Sequence, residues 1–183
     1  MNTPSATYTF TAIRLHWLIF LLIFAAFALG LYMEDLPLSP DKLILFNYHK
    51  WMGITVLLLA VLRLMWRLTH RPPELPGAMV GWERFAAHAM HYLLYALIFA
   101  VPLSGWLMSS AKGFQTVWFG VLPLPDLVGK DKELGKQLAE LHEFVNYTML
   151  ALVVVHVAAA LKHHFIVKDD ILTRMVPFLR KKD

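Results

Sequence analysis

The chain contains no cysteine. Disulfides, iron–sulfur clusters and thiolate chemistry are therefore excluded, as is a covalently attached haem, which needs Cys-x-x-Cys-His. Charge is also scarce: charged residues make up 16% of the 183 positions, against about 25% in soluble domains. There is no internal repeat and no low-complexity tract. The formal net charge of +4 is modest, and no basic cluster suggests nucleic acid. What fills the space is apolar: 58% of residues are hydrophobic, and the mean hydropathy is +0.53. Few charges and much apolar surface point to lipid as the solvent, and the length suits one domain.

Four apolar blocks carry that surplus: "LHWLIFLLIFAAFALGLYM" from Leu15, "YHKWMGITVLLLAVLRLMWRL" from Tyr48, "HAMHYLLYALIFAVPLSGWLM" from His88 and "FVNYTMLALVVVHVAAAL" from Phe144. Each is close to the roughly 20 residues that cross a bilayer core as a helix. The first is too long for the apolar stretch of a cleavable signal peptide. The expected fold class is all-α: an integral membrane four-helix transmembrane bundle in one domain, with helices over roughly 13–34, 47–69, 84–109 and 141–164. An even number of spans puts both termini on one side. Arg14, Arg63, Arg67, Arg71, Arg84, Lys162, Lys168, Arg174, Arg180, Lys181 and Lys182 fall on that side, 11 of the 17 basic residues. By the positive-inside rule both termini are cytoplasmic. The expected setting is a membrane, multi-pass and in contact with lipid, the outer loops facing the periplasm if the source is a Gram-negative bacterium. The proline-rich "THRPPELPGAMVGWER" turns the chain inside. The long outer segment ends in "DLVGKDKELGKQLAELHE", which reads as a helix lying flat at the interface. Tyr92-Leu-Leu-Tyr95 and the tryptophans supply an aromatic belt, and Pro102 with Ser104 and Gly105 is expected to break the third helix.

Histidines interrupt this apolar background. His142 and His156 are fourteen residues apart, which returns a helix to within about 40° of the same face, about 21 Å along its axis. His16 opens the first block near the inside. His49 opens the second near the outside, at the depth of His142, while His156 lies toward the inside with His16. Two pairs at matched depths form two clamps, and stacked clamps suit two haem b groups, each with two axial imidazoles. A single histidine on an apolar face is more often a hydrogen-bonded interior residue, but four that pair by depth are harder to assign that way. Zinc is the metal alternative. His88 with His91, and His163 with His164, do not complete a four-ligand set. Gly53, one turn after His49, leaves room for a flat macrocycle, and Gly30 lies at the outer depth. Arg63, fourteen after His49, is placed to reach a haem propionate, as are Arg14 and Arg67. The alternative for all three is snorkelling to headgroups.

Taken together, "LHW" in the first helix, "YHK" in the second, "HAMHYLLYALIFAVPLSGWLM" in the third, and "LHEFVNY" with "VVHVAAALKHHFIVKDDILTRM" in the fourth resemble the bacterial cytochrome b561 family. The resemblance runs from about Tyr8 to Met175 and implies the bacterial inner (plasma) membrane as the location. It implies a di-haem membrane cytochrome with ligands at His16, His49, His142 and His156. It also implies electron transfer to the quinone pool, with ubiquinone as substrate or bound quinone and His163 or His164 binding it or relaying protons. A basic helix end in an anionic headgroup layer is the competing reading of those two residues. Superoxide, or another periplasmic one-electron donor, is the outer partner the family suggests. The outer segments carry eight acidic residues against six lysines, so charge alone does not select an anion. Two rival readings remain: a haem-bearing anchor for a separate redox enzyme, such as a hydrogenase or formate dehydrogenase, and a haem-free transporter or scaffold. His91, near the inner end of the third helix, reads as a structural hydrogen-bonding residue, with lining of the quinone site as the alternative, and His70 reads as loop.

Overall fold

A computed structural model describes residues 7–77 and 79–179; Arg180, Lys181 and Lys182 of the inner basic set lie outside them. Four long helices make the bundle: α1 Phe10–Glu34, α2 Pro40–Thr69, α3 Gly81–Ala111 and α4 Lys132–Lys162. All four are long and apolar enough to cross a membrane. Each packs antiparallel on its neighbour in sequence, α1 on α2, α2 on α3 and α3 on α4. The protein interior is thin. Ile19, Ile54, Val56, Ala60 and Met149 are buried, while Leu21, Phe24, Leu62, Val154 and many others are exposed. In a bilayer those exposed side chains meet acyl chains, and association rests on close packing rather than on removal of apolar surface from water.

Local chemistry sets the helix ends. Thr9 accepts from Ala12 N and starts α1. Ser39 accepts from Lys42 N, with Pro40 in the first turn of α2, where a missing N–H costs nothing. Asp131 accepts from Glu133 N and Leu134 N, so "KELGKQLAELHE" is the first part of α4 itself rather than a separate interfacial helix. The second and fourth helices therefore begin well outside the apolar blocks, and His49 and His142 each stand about two and a half turns inside their helices. α3 continues through Pro102, so the expected break is absent.

Between α3 and α4 lies a short antiparallel hairpin, β1 Val117–Trp118 and β2 Leu122–Pro123. It is tied to α2 by Lys50 Nζ donating to Gln115 O at 3.1 Å and Trp51 Nε1 to Val117 O at 2.6 Å. At the inner side Lys162 pairs with Glu83 at 2.8 Å. The chain then makes one π-helical turn, His163–Val167, stopped by Lys168 in the left-handed region at φ 62°. The short helix α5, Ile171–Met175, folds back over the inner ends. Trp17 Nε1 donates to Met175 O at 2.8 Å, and Arg174 Nη1 donates to Glu74 O at 2.5 Å.

Candidate functional site

At the outer level His49 of α2 and His142 of α4 face each other across the bundle. Their ring centroids are 6.2 Å apart and their planes stand at 87°. His49 Nδ1 donates to Ala26 O of α1 at 2.9 Å. His142 Nδ1 lies 3.1 Å from Val101 O, its acceptor, and 3.0 Å from Ser104 Oγ. A carbonyl can only accept, so both rings carry their proton on Nδ1 and leave Nε2 as a free donor of electrons. That is the arrangement metal-ligating histidines adopt, and the second hydrogen bond fixes ring orientation and raises basicity. A nitrogen binds a first-row metal at about 2 Å and the ring centroid sits about 1 Å behind it, so two trans imidazoles on one ion have centroids about 6 Å apart. The observed separation fits.

The walls are built for the close approach of these rings. A methyl group added to Gly105 would sit 3.0 Å from His142 Cε1, and one added to Gly30 would sit 3.5 Å from His49 Cε1. Gly53, facing the same cavity, has nothing within 4 Å of such a position. Ile23, Phe27, Val56 and Met149 complete an apolar lining, and Asn146 spends its amide on His142 O at 2.6 Å. Ser104 and Gly105 were legible only as a helix-breaking group beside Pro102. Small residues inside an apolar span were the available signal for close packing instead.

The inner level is different. His16 Nδ1 accepts from Arg63 Nη1 at 2.9 Å, and Arg63 Nε donates to Tyr95 Oη at 3.1 Å. Tyr95 is thus an interior residue, while Tyr92 faces outward with the belt. His156 makes an edge contact with His91 at 5.3 Å between centroids, and both lie within electrostatic range of His16. His91 donates from Nδ1 to Ala87 O at 2.6 Å. Because an arginine always donates, His16 carries its proton on Nε2 here. A metal at Nε2 requires Arg63 to leave that ring, and the carboxylate of a haem propionate is a suitable receiver. His16 could therefore ligate a haem only once Arg63 has turned, and the ring that meets His156 here is His91. Arg67 lies over the Tyr95 ring at 5.5 Å, whereas Arg14 rests on Phe10 at 3.9 Å, outside the cluster. Tyr8, just ahead of α1, lines the same inner cleft with Arg63, Arg67 and Arg71. Burial raises its hydroxyl pKa above the ordinary value, against the pull of Arg67, Arg63 and Arg174.

His163, in the π turn, donates from Nδ1 to Asp169 Oδ2 at 2.6 Å; both side chains are largely shielded. π turns inside helices often accompany functional sites. His164 packs edge-on to Phe165 at 4.8 Å, and His88 is exposed. His70 stacks on Trp66 at 3.9 Å. Among the described residues no three His, Asp or Glu side chains converge as a metal site, which leaves the zinc reading without a ligand set.

A family model described as prokaryotic cytochrome b561 matches residues 7–178. Cytochrome b561 homolog 2 of Escherichia coli is 34% identical, over 96% of this chain and 93% of its own. Cytochrome b561 homolog 1 of the same organism is 31% identical, over 91% and 95%. A protein of Yersinia pestis named "Probable superoxide oxidase CybB" is 27% identical, over 93% and 96%.

Proposed function

The chain belongs to the prokaryotic cytochrome b561 family of haem-binding membrane electron-transfer proteins, and from that premise we propose that it holds two b haems and links an outer one-electron donor to the quinone pool. One haem is assigned to His49 and His142, the other to His16 and His156. The observation that carries this reading is the outer pair: two imidazoles on different helices, 6.2 Å apart, each fixed through Nδ1 by a main-chain carbonyl. A bis-imidazole haem supplies reversible one-electron transfer.

The chain's own residues do the rest. Ala26 O and Val101 O hold the outer ligands in one tautomer. Gly53 leaves space beside them, and Gly30 and Gly105 let the rings lie against the helices. Arg63, released from His16, would pair with a haem propionate at the inner level. Asp169 fixes His163 through Nδ1 and leaves Nε2 to exchange a proton, which is what a quinone carbonyl needs on reduction. His164 is the second candidate for that contact. The name of the Yersinia relative motivates superoxide as the donor. Two superoxide ions, one ubiquinone and two protons then give two dioxygen molecules and one ubiquinol.

The test is haem content with reduced-minus-oxidised spectra for the wild type, His49→Ala and His156→Ala. Two haems per chain in the wild type are expected, with one lost in each variant and a different one each time. Two haems surviving both substitutions would overturn the ligand assignment. Superoxide-driven ubiquinone reduction by the haem-loaded chain then checks the donor; its absence would exclude superoxide while leaving the haem assignment standing.

A further inference from the structure

The connection between α3 and α4 reads as an aqueous outer loop, yet its middle has no aqueous composition. The run Val117–Pro125, "VWFGVLPLP", carries one polar side-chain group, the Trp118 indole N–H. That group donates to Thr55 Oγ1 of α2 at 3.2 Å. We propose that the β1–β2 hairpin dips into the outer leaflet, with its tip, Phe119 to Leu122, seated among lipid acyl chains.

Depth is the first argument. Moving along α2 from the outer side, Lys50 holds Gln115, Trp51 holds Val117, and Thr55 holds Trp118. Thr55 is six residues inward of His49, about 9 Å down the helix axis. After leaving α3 at Ala111, the chain therefore turns back past the level of the outer histidine pair. The Phe119 ring meets the Trp51 ring there, 5.4 Å away.

Side is the second argument. At about 100° per residue, Trp51 and Thr55 lie on the face of α2 opposite to His49, Gly53 and Val56, which line the cavity. Leu58, Leu62 and Met65 continue the stripe of Trp51 and Thr55 toward the inside, and all three are exposed. The hairpin thus sits on the outside of the bundle, at the head of a stripe that faces lipid. Its own tip extends that surface: Val121 is 83% exposed, Phe119 56% and Leu122 51%.

Backbone chemistry is the third. Non-helical chain is tolerated near hydrocarbon only where its polar groups are satisfied within the protein. Gly120 N donates to Val117 O, Val121 N to Trp118 O and Leu124 N to Thr116 O, and the two strands pair Val117 with Pro123 and Trp118 with Leu122. The turn residues agree. Phe119 and Gly120 both take positive φ, 51° and 72°. A water-facing hairpin of this kind normally places Asn or Asp before the Gly. A phenylalanine there accepts a disfavoured conformation and puts an aromatic ring where aromatic anchors of membrane proteins lie. The charged residues of the connection, Lys112, Asp126, Lys130 and Asp131, all flank the tip.

The absence of native cysteine makes the test direct. Single cysteines at Val121, at Leu58 on the lipid stripe and at Lys136 on the exposed outer part of α4 are nitroxide-labelled on the full chain. The labelled proteins are reconstituted in phosphatidylethanolamine–phosphatidylglycerol vesicles. Collision with oxygen, which partitions into lipid, is compared with collision with a water-soluble nickel chelate. The expected oxygen-to-nickel ratio at Val121 groups with Leu58 and lies several-fold above Lys136. A ratio matching Lys136 would place the tip in water and overturn the proposal. Spin–spin broadening between Val121 labels would also overturn it, by assigning the surface to a second copy of the chain. Leu122→Cys provides an independent label on the same tip if Val121→Cys inserts poorly.

Discussion

The outer and inner histidine levels use the same side chain in opposite surroundings. At the outer level two imidazoles hang from main-chain carbonyls in an apolar cleft whose lining carries no ionised side chain. At the inner level His16, His91 and His156 share their space with Arg63 and Tyr95, and Arg67 lies over the Tyr95 ring. One helix sets both environments, because α2 supplies His49 to the first and Arg63 to the second. For two sites with identical ligands, the surrounding field decides which takes an electron more readily. Positive charge left uncompensated there would favour the reduced form, so the inner level would be the stronger acceptor. On the proposed assignment, that asymmetry would draw electrons from the outer level to the inner one.

The sharpest way to break the comparison is to damage one level alone. Gly105→Ala places a carbon 3.0 Å from His142 Cε1, closer than most packed carbons come, so the His142 ring must shift off Val101 and Ser104, and overpacking of this kind costs about 1–3 kcal/mol. Loss of the outer haem signal with the inner one intact is the expected outcome in reduced-minus-oxidised spectra. Gly30→Ala, across the same site at 3.5 Å from His49, makes an ordinary contact and should retain both signals. Equal damage from the two substitutions would show that helix flexibility, rather than the close approach at Gly105, governs the site.

Much of this contrast was legible before any coordinates. Polar residues stand out in an apolar run, and a fixed rise per residue converts their positions into depths, so His49 and His142, whose rings face each other, could be matched by arithmetic; the same arithmetic matches His16 with His156, where the ring contact is instead His91 with His156. The four spans followed from length and hydropathy. Rotation about the helix axes was not accessible in the same way. Whether Tyr95 joins the belt or turns in to Arg63 depends on how α3 packs on α2, and nothing local to "HYLLYAL" records that. His91, three residues from His88, was similarly ambiguous until its ring met His156. The outer hairpin escaped notice because each strand has only two residues, and its position is set by indole and lysine donors on α2, far away in sequence. The extensions of α2 and α4 were hidden by the apolar blocks themselves, which mark where lipid begins and not where a helix does. Ser39 and Asp131 were the caps that marked the true starts.

A smaller effect sharpens the electrostatic half of the comparison. Arg63→Gln removes a positive charge from the inner level and leaves the outer one untouched. The inner midpoint potential should fall by on the order of tens of millivolts, while the outer potential stays fixed. Spectroelectrochemical titration of the two haem signals reads both at once. A shift shared by both signals would mean that Arg63 acts through the fold and not through its charge.

The smallest expected effect concerns Tyr8, which exists only at the inner level. Burial holds its hydroxyl in the neutral form, raising the pKa above the ordinary value of 10.0 although Arg67, Arg63 and Arg174 pull the other way. For an acid raised in the folded state the linkage runs in one direction. The contribution to stability is fully present below about pH 10, and it is lost as pH climbs through the higher folded value. Thermal unfolding midpoints of wild type and Tyr8→Phe in detergent should therefore differ by a constant amount from about pH 6 to 9. Above about pH 10 the wild type should weaken relative to the variant, which has no hydroxyl to ionise. If the wild type instead gained on the variant in alkali, the arginines would dominate over burial, and the inner cleft would be a site that welcomes a phenolate. That outcome would make the inner level still more unlike the outer one, because its positive field would then be strong enough to hold a phenolate.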